Sequence, residues 1–379
     1  TGQFRDANTR VTRLLAKDEK NPDLWRMKAE IERAQGSFDE AASALTEACR
    51  HAPNNKKLLT LQGIVLYEAE KYPEAITVIE KVLGFDPLNG ELWKRKGSAH
   101  DALGQYELAS ESYLKAAEYL QDDPDLIRRL GITLFKIGKY ESALPRLEQY
   151  LEVVPDDPDI WEMKGDVFFN QGKYESANTA FSQAILFRPD DADLLFRYAQ
   201  SLVKSGELLA AIPPLDQVID QNHENANAWR LKAEIEQSLG REDEAAQAVE
   251  EALKQIPDDP DLMLTRVTSL YETGSYVEGL EMARRVIDKS PERNEAWLLY
   301  AELLWITADH NAAAAAYDRI LALDETNAND WFLKGDSLQN AGRFEEAAIA
   351  HERAFSLGGD TSVGLLLSKK MRYLQQKKV

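Results

Sequence analysis

The sequence predicts an all-α solenoid, a fold in which antiparallel helix pairs stack one after another. A 34-residue period runs through ten repeats without insertion or deletion, which is typical of supersecondary units that bury their apolar faces against each other. Every period also holds two amphipathic stretches with helical spacing. The period is clearest at one apolar position, called here the tryptophan position, which is occupied by Trp25, Leu59, Trp93, Ile127, Trp161, Leu195, Trp229, Met263, Trp297 and Trp331.

The repeat near Pro158 shows how each helix is predicted. Asp157 can cap a helix N-terminus, and Pro158 suits the first helical position. Gly172 ends this first helix, because glycine readily adopts the left-handed conformation of a helix C-cap. A second helix is predicted from about Glu175 to just before Pro189. Helices of about 13 residues are marginal alone in water, so their neighbours must stabilise them.

Small residues recur at two further positions. Four residues after the tryptophan position stand Ala29, Gly63, Gly97, Gly131, Gly165, Ala199, Ala233, Ala301 and Gly335, with Val267 as the exception. Sixteen residues after it stand Ala41, Ala75, Ala109, Ala143, Ala177, Ala211, Ala245, Ala313 and Ala347, with Gly279 as the exception. This pattern resembles the tetratricopeptide repeat. The resemblance covers nearly the whole chain and implies a right-handed superhelical solenoid whose first helices line a concave groove.

One position departs from that family. Three residues after the tryptophan position, where the family has leucine, stand Lys28, Lys96, Lys164, Lys232 and Lys334. A lysine stem can cover apolar surface while its charged end stays hydrated. We therefore expect these stems to pack along the neighbouring helix and their ammonium groups to reach water.

The two ends differ from the repeats between them. Residues 1–21 match only the second helix of an incomplete repeat, residues 22–357 hold the ten repeats, and residues 358–379 are expected to form a C-terminal capping helix. For this last segment a cap is favoured over a membrane or partner helix. For the first segment two alternatives stay open, namely sequence upstream of Thr1 or self-association that covers its apolar face.

Charge and composition exclude several classes of partner. The formal net charge of -20 disfavours nucleic acid, which requires a basic surface. No stretch approaches the roughly 20 apolar residues of a membrane span. The single cysteine, Cys49, excludes an intramolecular disulfide and fits an inert buried thiol. We expect a cytoplasmic protein, an expectation that sequence upstream of Thr1 would weaken.

Patterns for catalysis and for metal binding are missing from the sequence. Its 5 histidines lie far apart, and it has neither a phosphate loop nor a nucleophile elbow. Acidic runs such as Asp156-Asp157-Pro158-Asp159 lack the EF-hand spacing, and helix capping explains them. We therefore expect a protein without enzymatic activity, cofactor or metal.

A first candidate binding surface combines cations with aromatic residues. At or beside the groove positions of the repeats between residues 94 and 230 stand Lys94, Arg95, Arg128, Arg129, Arg197, Phe135, Phe169 and Phe196. Pairing within one helix is the alternative interpretation, as for Arg230 and Glu234. Arg95, Arg129 and Arg197 have an acid only four residues before them, which is the weaker orientation, so we expect them to be freer to contact a partner.

A second candidate surface is apolar. Residues 296–308 predict a helix that is apolar nearly all round, and stacking uses only part of it. The residues expected in the groove are Leu298, Trp305 and Ile306, joined by Leu264, Tyr271 and Phe332 from neighbouring repeats. Such a patch is typical of an interaction site, and coverage by adjacent helices or by the C-terminal segment is the alternative. Ala308 replaces the turn glycine here, so we expect an altered turn.

These patterns favour a protein–protein interaction scaffold that binds a peptide or a helical segment of a partner in the groove. The resemblance does not extend to capture of chaperone tails, because the position that would hold the clamp asparagine carries no asparagine in any of the ten repeats. Two alternatives stay open: a substrate-recruiting arm of a larger enzyme, and a self-assembling structural scaffold.

Overall fold

The computed structural model describes residues 2–358, which contain α-helices and turns but no β-strand. The predicted all-α fold is confirmed. From α2 onwards each even-numbered helix is the first helix of a repeat, and the odd-numbered helix after it is the second. The chain divides after Leu194 into two compact units. The segment 358–379 predicted as a cap lies, apart from Gly358, outside the described residues.

The helices of the first unit are α1 (Gly2–Leu15), α2 (Pro22–Ala34), α3 (Phe38–His51), α4 (Lys56–Glu68), α5 (Tyr72–Leu83), α6 (Gly90–Ala102), α7 (Tyr106–Ala117), α8 (Pro124–Lys136), α9 (Tyr140–Val153), α10 (Pro158–Asn170) and α11 (Tyr174–Phe187). The division between the units falls within α12 (Ala192–Ser205). The second unit continues with α13 (Leu208–Gln221), α14 (Ala226–Ser238), α15 (Glu242–Gln255), α16 (Pro260–Glu272), α17 (Tyr276–Lys289), α18 (Asn294–Ile306), α19 (His310–Leu323), α20 (Ala328–Asn340) and α21 (Phe344–Ser356).

Most first helices begin at a side-chain cap. The Asp157 carboxylate accepts hydrogen bonds from the backbone N–H groups of Asp159 (3.1 Å) and Ile160 (3.3 Å). The same role falls to Asn21, Asn55, Asn89, Asp123, Asn225, Asp259 and Asn327. These bonds satisfy N–H groups that a helix start leaves unpaired. Helix capping by the acidic runs is confirmed.

A residue in the left-handed conformation follows the first helix of each repeat. Gly172 has φ 72°, and the N–H after it donates to the Phe168 carbonyl at 2.9 Å. Ala308 has φ 65°, and the N–H after it donates to the Leu304 carbonyl at the same distance. The expected change of turn geometry at Ala308 is therefore wrong. The alanine adopts the glycine conformation, which costs an L-residue roughly 1–2 kcal/mol.

Within a repeat, glycine lets the two helices approach closely. A Cβ on Gly97 would lie 2.5 Å from the Tyr113 ring, and one on Gly165 would lie 2.6 Å from the Phe181 ring. Both rings are almost fully buried. The ring of the second helix therefore fills the space that a side chain on the first helix would need. This packing explains why a small residue recurs four positions after the tryptophan position.

Each tryptophan at the tryptophan position is bound to the loop before its repeat. The indole N–H of Trp161 donates to the Pro155 carbonyl at 2.8 Å. The same bond, to the carbonyl six residues earlier, is made at 2.8–2.9 Å by Trp25, Trp93, Trp229, Trp297 and Trp331. An aliphatic side chain cannot donate, so only the repeats with tryptophan have this link to the preceding loop.

In five of the six repeats that have tryptophan at the tryptophan position, a lysine three residues later lies over the indole ring, and Trp297 has Tyr300 there instead. The ammonium nitrogens of Lys28, Lys96, Lys164, Lys232 and Lys334 are 4.9–5.5 Å from the ring centroids. All except Lys28 also pair, at 2.5–3.0 Å, with an acid on the second helix of the preceding repeat. The side chains of these four lysines are 16–22% exposed and those of their acid partners are 44–60% exposed, so each ammonium is held by an ion pair that is partly exposed.

The left-handed alanine gives a first prediction. Ala308→Gly should raise the free energy of unfolding by about 1 kcal/mol, because glycine adopts this conformation without steric cost. Urea denaturation measures the change. Gly172→Ala is the matched reverse change and should lower the stability by a similar amount. If both variants shift the unfolding midpoint in the same direction, the proposal that the backbone at Ala308 is strained is wrong.

The indole bond gives a second prediction. Trp161→Ala should lower the free energy of unfolding by about 3–5 kcal/mol, as truncation of large aromatic core residues does. Trp161→Phe keeps an aromatic ring but loses the N–H, so its loss should be smaller and should include about 1 kcal/mol for the hydrogen bond. Urea denaturation, with hydrogen exchange of α9 and α10, measures both. Wild-type stability in Trp161→Phe would show that the bond contributes nothing.

Candidate functional site

Several neighbouring first helices lie side by side, and the resemblance assigns the groove to their exposed sides. Helices α4 and α6, α8 and α10, and α16 and α18 pack against each other as well as against their second helices. Ion pairs cross the same surface: Arg128 reaches Asp157 at 3.0 Å, and Arg230 reaches Asp261 at 3.1 Å. In both pairs a cation one residue after the tryptophan position contacts the start of the next first helix.

The cations of the first candidate surface are largely bound by the chain's own carboxylates. Lys94 lies 2.6 Å from Asp123 and 2.8 Å from Asp125. Arg129 pairs with Asp125 at 2.9 Å, so the expectation that Arg129 is freer for a partner is wrong. The pairing exists despite the weaker orientation, because the two residues are one helical turn apart. Arg128 pairs with Asp157 in the same way.

The remaining residues of this surface are half-buried. The Phe135 ring lies 5.6 Å from the Tyr140 ring, and the Phe169 ring lies 5.4 Å from the Tyr174 ring, each within its own repeat. Arg95 is half-buried on α6, and the half-buried Phe196 and Arg197 on α12 belong to the second unit. The structure thus assigns Phe135 and Phe169 a packing role within their own repeats.

The shared carboxylate of Asp125 gives a third prediction. Burial alone would raise its pKa, but hydrogen bonds from Lys94 and Arg129 outweigh burial and lower it. A depressed folded-state pKa means that the ionised form stabilises the fold above about pH 4 and that this contribution disappears as the pH falls through the folded pKa.

Asp125→Asn should therefore cost up to about 1 kcal/mol at pH 7, since the pairs are partly exposed and screened, and less at about pH 2.5. Urea denaturation at the two pH values measures this. Asp193→Asn, at the equivalent position of α12, is the comparison. An equal loss at both pH values would contradict the ionic role of Asp125.

The second candidate surface lies in the second unit and is partly open to solvent. Trp305 and Ile306, in the last turn of α18, are 46% and 36% exposed. Among residues 2–358 the Trp305 ring has one ring neighbour, that of His310, at 5.9 Å. Leu298 is half-buried and packs against the cluster that contains Leu304 and Tyr317. Helix α18 therefore has two large apolar side chains at its C-terminal end that the described residues cover only in part.

The other three residues of this surface contribute through neighbouring first helices. Leu264 and Tyr271, on α16, are half-buried against the cluster that contains Leu303 of α18. The Phe332 ring, on α20, lies 5.2 Å from the ring of His351. The six predicted residues thus lie on three successive first helices. Of these six side chains, Trp305 and Ile306 are exposed and the other four are half-buried.

The sequence analysis did not predict the buried and half-buried ionisable groups around this surface. Burial raises the pKa of Tyr271, and the nearby Glu302 carboxylate raises it further through its charge and a side-chain hydrogen bond. Burial likewise raises the pKa of Tyr317, with smaller contributions from Glu302 and Asp330. On α20, Asp336 lies 3.6 Å from His351.

Asp330 is the one of these groups that the repeat pattern could have revealed. It is 2% exposed, and burial raises its pKa. It stands directly before the tryptophan position, where the other repeats have Leu24, Leu58, Leu92, Leu126, Ile160, Leu194, Ala228, Leu262 and Ala296. A buried carboxyl in an otherwise aliphatic column is a departure that alignment of the repeats shows directly.

Within residues 2–358 no group of three or more His, Cys, Asp and Glu side chains is placed to hold a metal ion. Over the same residues no helix has the length and hydropathy needed to cross a bilayer. Cys49 is a free, buried thiol, and burial raises its pKa.

Comparison with family models matches successive parts of the chain to tetratricopeptide repeats. Residues 144–263 match the tetratricopeptide domain of cytochrome c-type biogenesis protein H, and residues 93–157 match YpiA-like C-terminal tetratricopeptide repeats. Two general tetratricopeptide repeat models also match: one covers residues 32–97, and the other covers residues 1–56 and 264–329. A search of curated protein sequences found no match.

Solved structures show the same kind of fold at low sequence identity. Naa15/Naa10 bound to HypK-THB is 13% identical over 93% of this chain and 66% of that chain, with a TM-score of 0.50. YrrB, described as a TPR protein with an unusual peptide-binding site, is 21% identical over 50% of this chain and 98% of that chain (TM-score 0.45). A C-terminal part of a repeat protein from Cytophaga hutchinsonii is 16% identical over 62% of this chain and 97% of that chain (TM-score 0.49).

Proposed function

The chain is a tetratricopeptide repeat protein, and on that premise we propose that it binds a helical or extended segment of a partner protein against α16, α18 and α20. Proteins of this family are generally non-catalytic scaffolds for protein–protein interaction. The observation that supports this location is the exposure of Trp305 and Ile306 on a first helix, beside the half-buried Leu264, Tyr271 and Leu298.

The partly exposed Trp305 side chain is suited to act as an anchor for a binding partner. Buried aromatic anchors contribute much of the binding energy of protein interfaces, and Trp305 has nearly half of its surface still available for burial. The half-buried residues around it supply a surface that is already packed and ordered, which lowers the entropic cost of binding. The opposite situation holds in the first unit, where Phe135 and Phe169 pack against tyrosines of their own repeats.

The alternatives from the sequence receive less support. A recruiting arm of a larger enzyme and a self-assembling scaffold would both use repeats of this kind, but none of the described residues favours either specifically. A recruiting arm and a self-assembling scaffold are both compatible with partner binding at α18. The variants described below therefore also test whether either of them uses this surface.

Trp305→Ala should weaken partner binding by at least about 30-fold, which corresponds to about 2 kcal/mol for a central aromatic anchor. The chain's partners are identified by affinity purification with quantitative mass spectrometry, and the affinity of one purified partner is then measured with each variant. The helicity and melting temperature should change little, because Trp305 is not a core residue. Tyr271→Ala added to it should abolish binding, at some cost in stability since Tyr271 is half-buried.

Phe187→Ala is the matched control. Phe187 is 47% exposed, nearly the same fraction as Trp305, but it lies on a second helix, α11. The control should retain all partners. Unchanged capture and affinity in Trp305→Ala would show that α18 is not the binding surface.

A further inference from the structure

We propose that the segment bound at α16, α18 and α20 is amphipathic and basic, with Lys or Arg side chains beside its apolar anchors. This inference rests on the function proposed above and adds the chemistry of the partner. It commits to a segment of another protein as the occupant of the surface.

The first argument is the composition of the surface itself. The family resemblance assigns five positions of each first helix to the groove: two residues before the tryptophan position, and one, five, eight and nine residues after it. In α16, α18 and α20 these positions contain no Lys or Arg. Besides the apolar residues, they contain the carboxylates of Asp261, Glu272, Glu295, Glu302 and Asp336. A surface of apolar anchors bordered by charges of one sign is complementary to an amphipathic segment of the opposite sign.

The second argument is that some of these acids lack a cation. Asp261 is bound by Arg230 and Arg293, and Glu295 lies near Arg293. Among the described residues, Glu302 has no Lys or Arg within ion-pair distance, and the only ion-pair partner of Asp336 is a histidine.

That histidine does not neutralise Asp336. His351 is 0% exposed, and burial lowers its pKa, so the imidazole stays neutral at pH 7. Burial also raises the pKa of Asp336, whose side chain is 35% exposed. A cation brought by a partner would therefore compensate a charge that the described residues leave without a Lys or Arg.

The third argument is the contrast with the first unit. There the cation one residue after the tryptophan position, Lys94 or Arg128, is already matched by aspartates at the start of the next first helix. The corresponding residues of α16, α18 and α20 are Leu264, Leu298 and Phe332. Apolar residues therefore replace the internal cations, and Glu302 and Asp336 stand where α6 and α8 have Ser98 and Ile132. The net charge of -20 would also speed the approach of a basic segment.

The test is an unbiased selection of displayed 16-residue peptides on the full chain, followed by affinity measurement of the recovered peptides at pH 7.4. We expect the recovered peptides to be enriched in Lys and Arg next to apolar residues and to need Trp305. Replacing the Lys and Arg of a recovered peptide by Gln should weaken binding about tenfold or more, with a smaller difference at high salt.

The protein variants address the acids directly. Glu302→Gln with Asp336→Asn should weaken a recovered peptide about tenfold, while its Gln-substituted form should bind both proteins equally. Glu278→Gln with Glu281→Gln removes the same formal charge from exposed positions on the second helix α17 and should have less than about a twofold effect. If the groove variant loses helicity, the substituted peptides on the unmodified chain decide the result.

The outcomes separate this inference from the proposed function. Peptides that need Trp305 but are acidic or uncharged would overturn the basic partner and leave the groove function standing. Failure to recover any peptide, or recovery only of peptides that bind Trp305→Ala equally well, would overturn the groove function itself. Displacement of the recovered peptides by a synthetic peptide of residues 361–377, which contains Lys369, Lys370 and Arg372, would assign the surface to the chain's own terminal segment and overturn the choice of another protein.

Discussion

The packing of each repeat on the next is the constraint on which the rest of the structure depends. Helices of 12–14 residues are marginal in water, so every helix here is stabilised by its neighbours. Two devices bring the neighbours close: a small residue such as Gly165 beneath the Phe181 ring, and the bond from Trp161 to the preceding loop. Side-by-side first helices are a consequence of this packing, and so is the surface that they share.

The same surface has different chemistry along the chain. Around α6, α8 and α10, the cations on one first helix are matched by the aspartates that cap or begin the next, so the charges stabilise the stack itself. Around α16, α18 and α20, leucine and phenylalanine stand in place of those cations, and Glu302 and Asp336 remain without Lys or Arg. Because each repeat has the same backbone, such changes of side chain alter what the surface can bind without altering the fold.

The fold could be predicted almost entirely from the sequence because its determinants are local and repeated. The period, the cap at Asp157 and the turn glycine each follow from a few neighbouring residues. The site could be predicted only in part. The exposure of Trp305 agrees with the apolar pattern of its helix, but the pairing of Lys94 with Asp123 depends on how two helices 29 residues apart are rotated. At Ala308 the local preference for glycine predicted an altered turn, but the alanine adopts the same left-handed conformation as the glycines of the other repeats.

The ion pair between the lysine over an indole and the preceding repeat determines where such a chain could be cut and rebuilt. The acid bound to Lys96 is Glu80, which belongs to the repeat before it. A transplanted fragment cut at the loops between repeats would leave one of these two charges behind. Cuts placed instead in the short turns after α4 and α6 would move α5 and α6 together, with Glu80, Lys96 and the Pro87 carbonyl that Trp93 binds. The self-contained module for grafting is thus a second helix joined to the first helix that follows it.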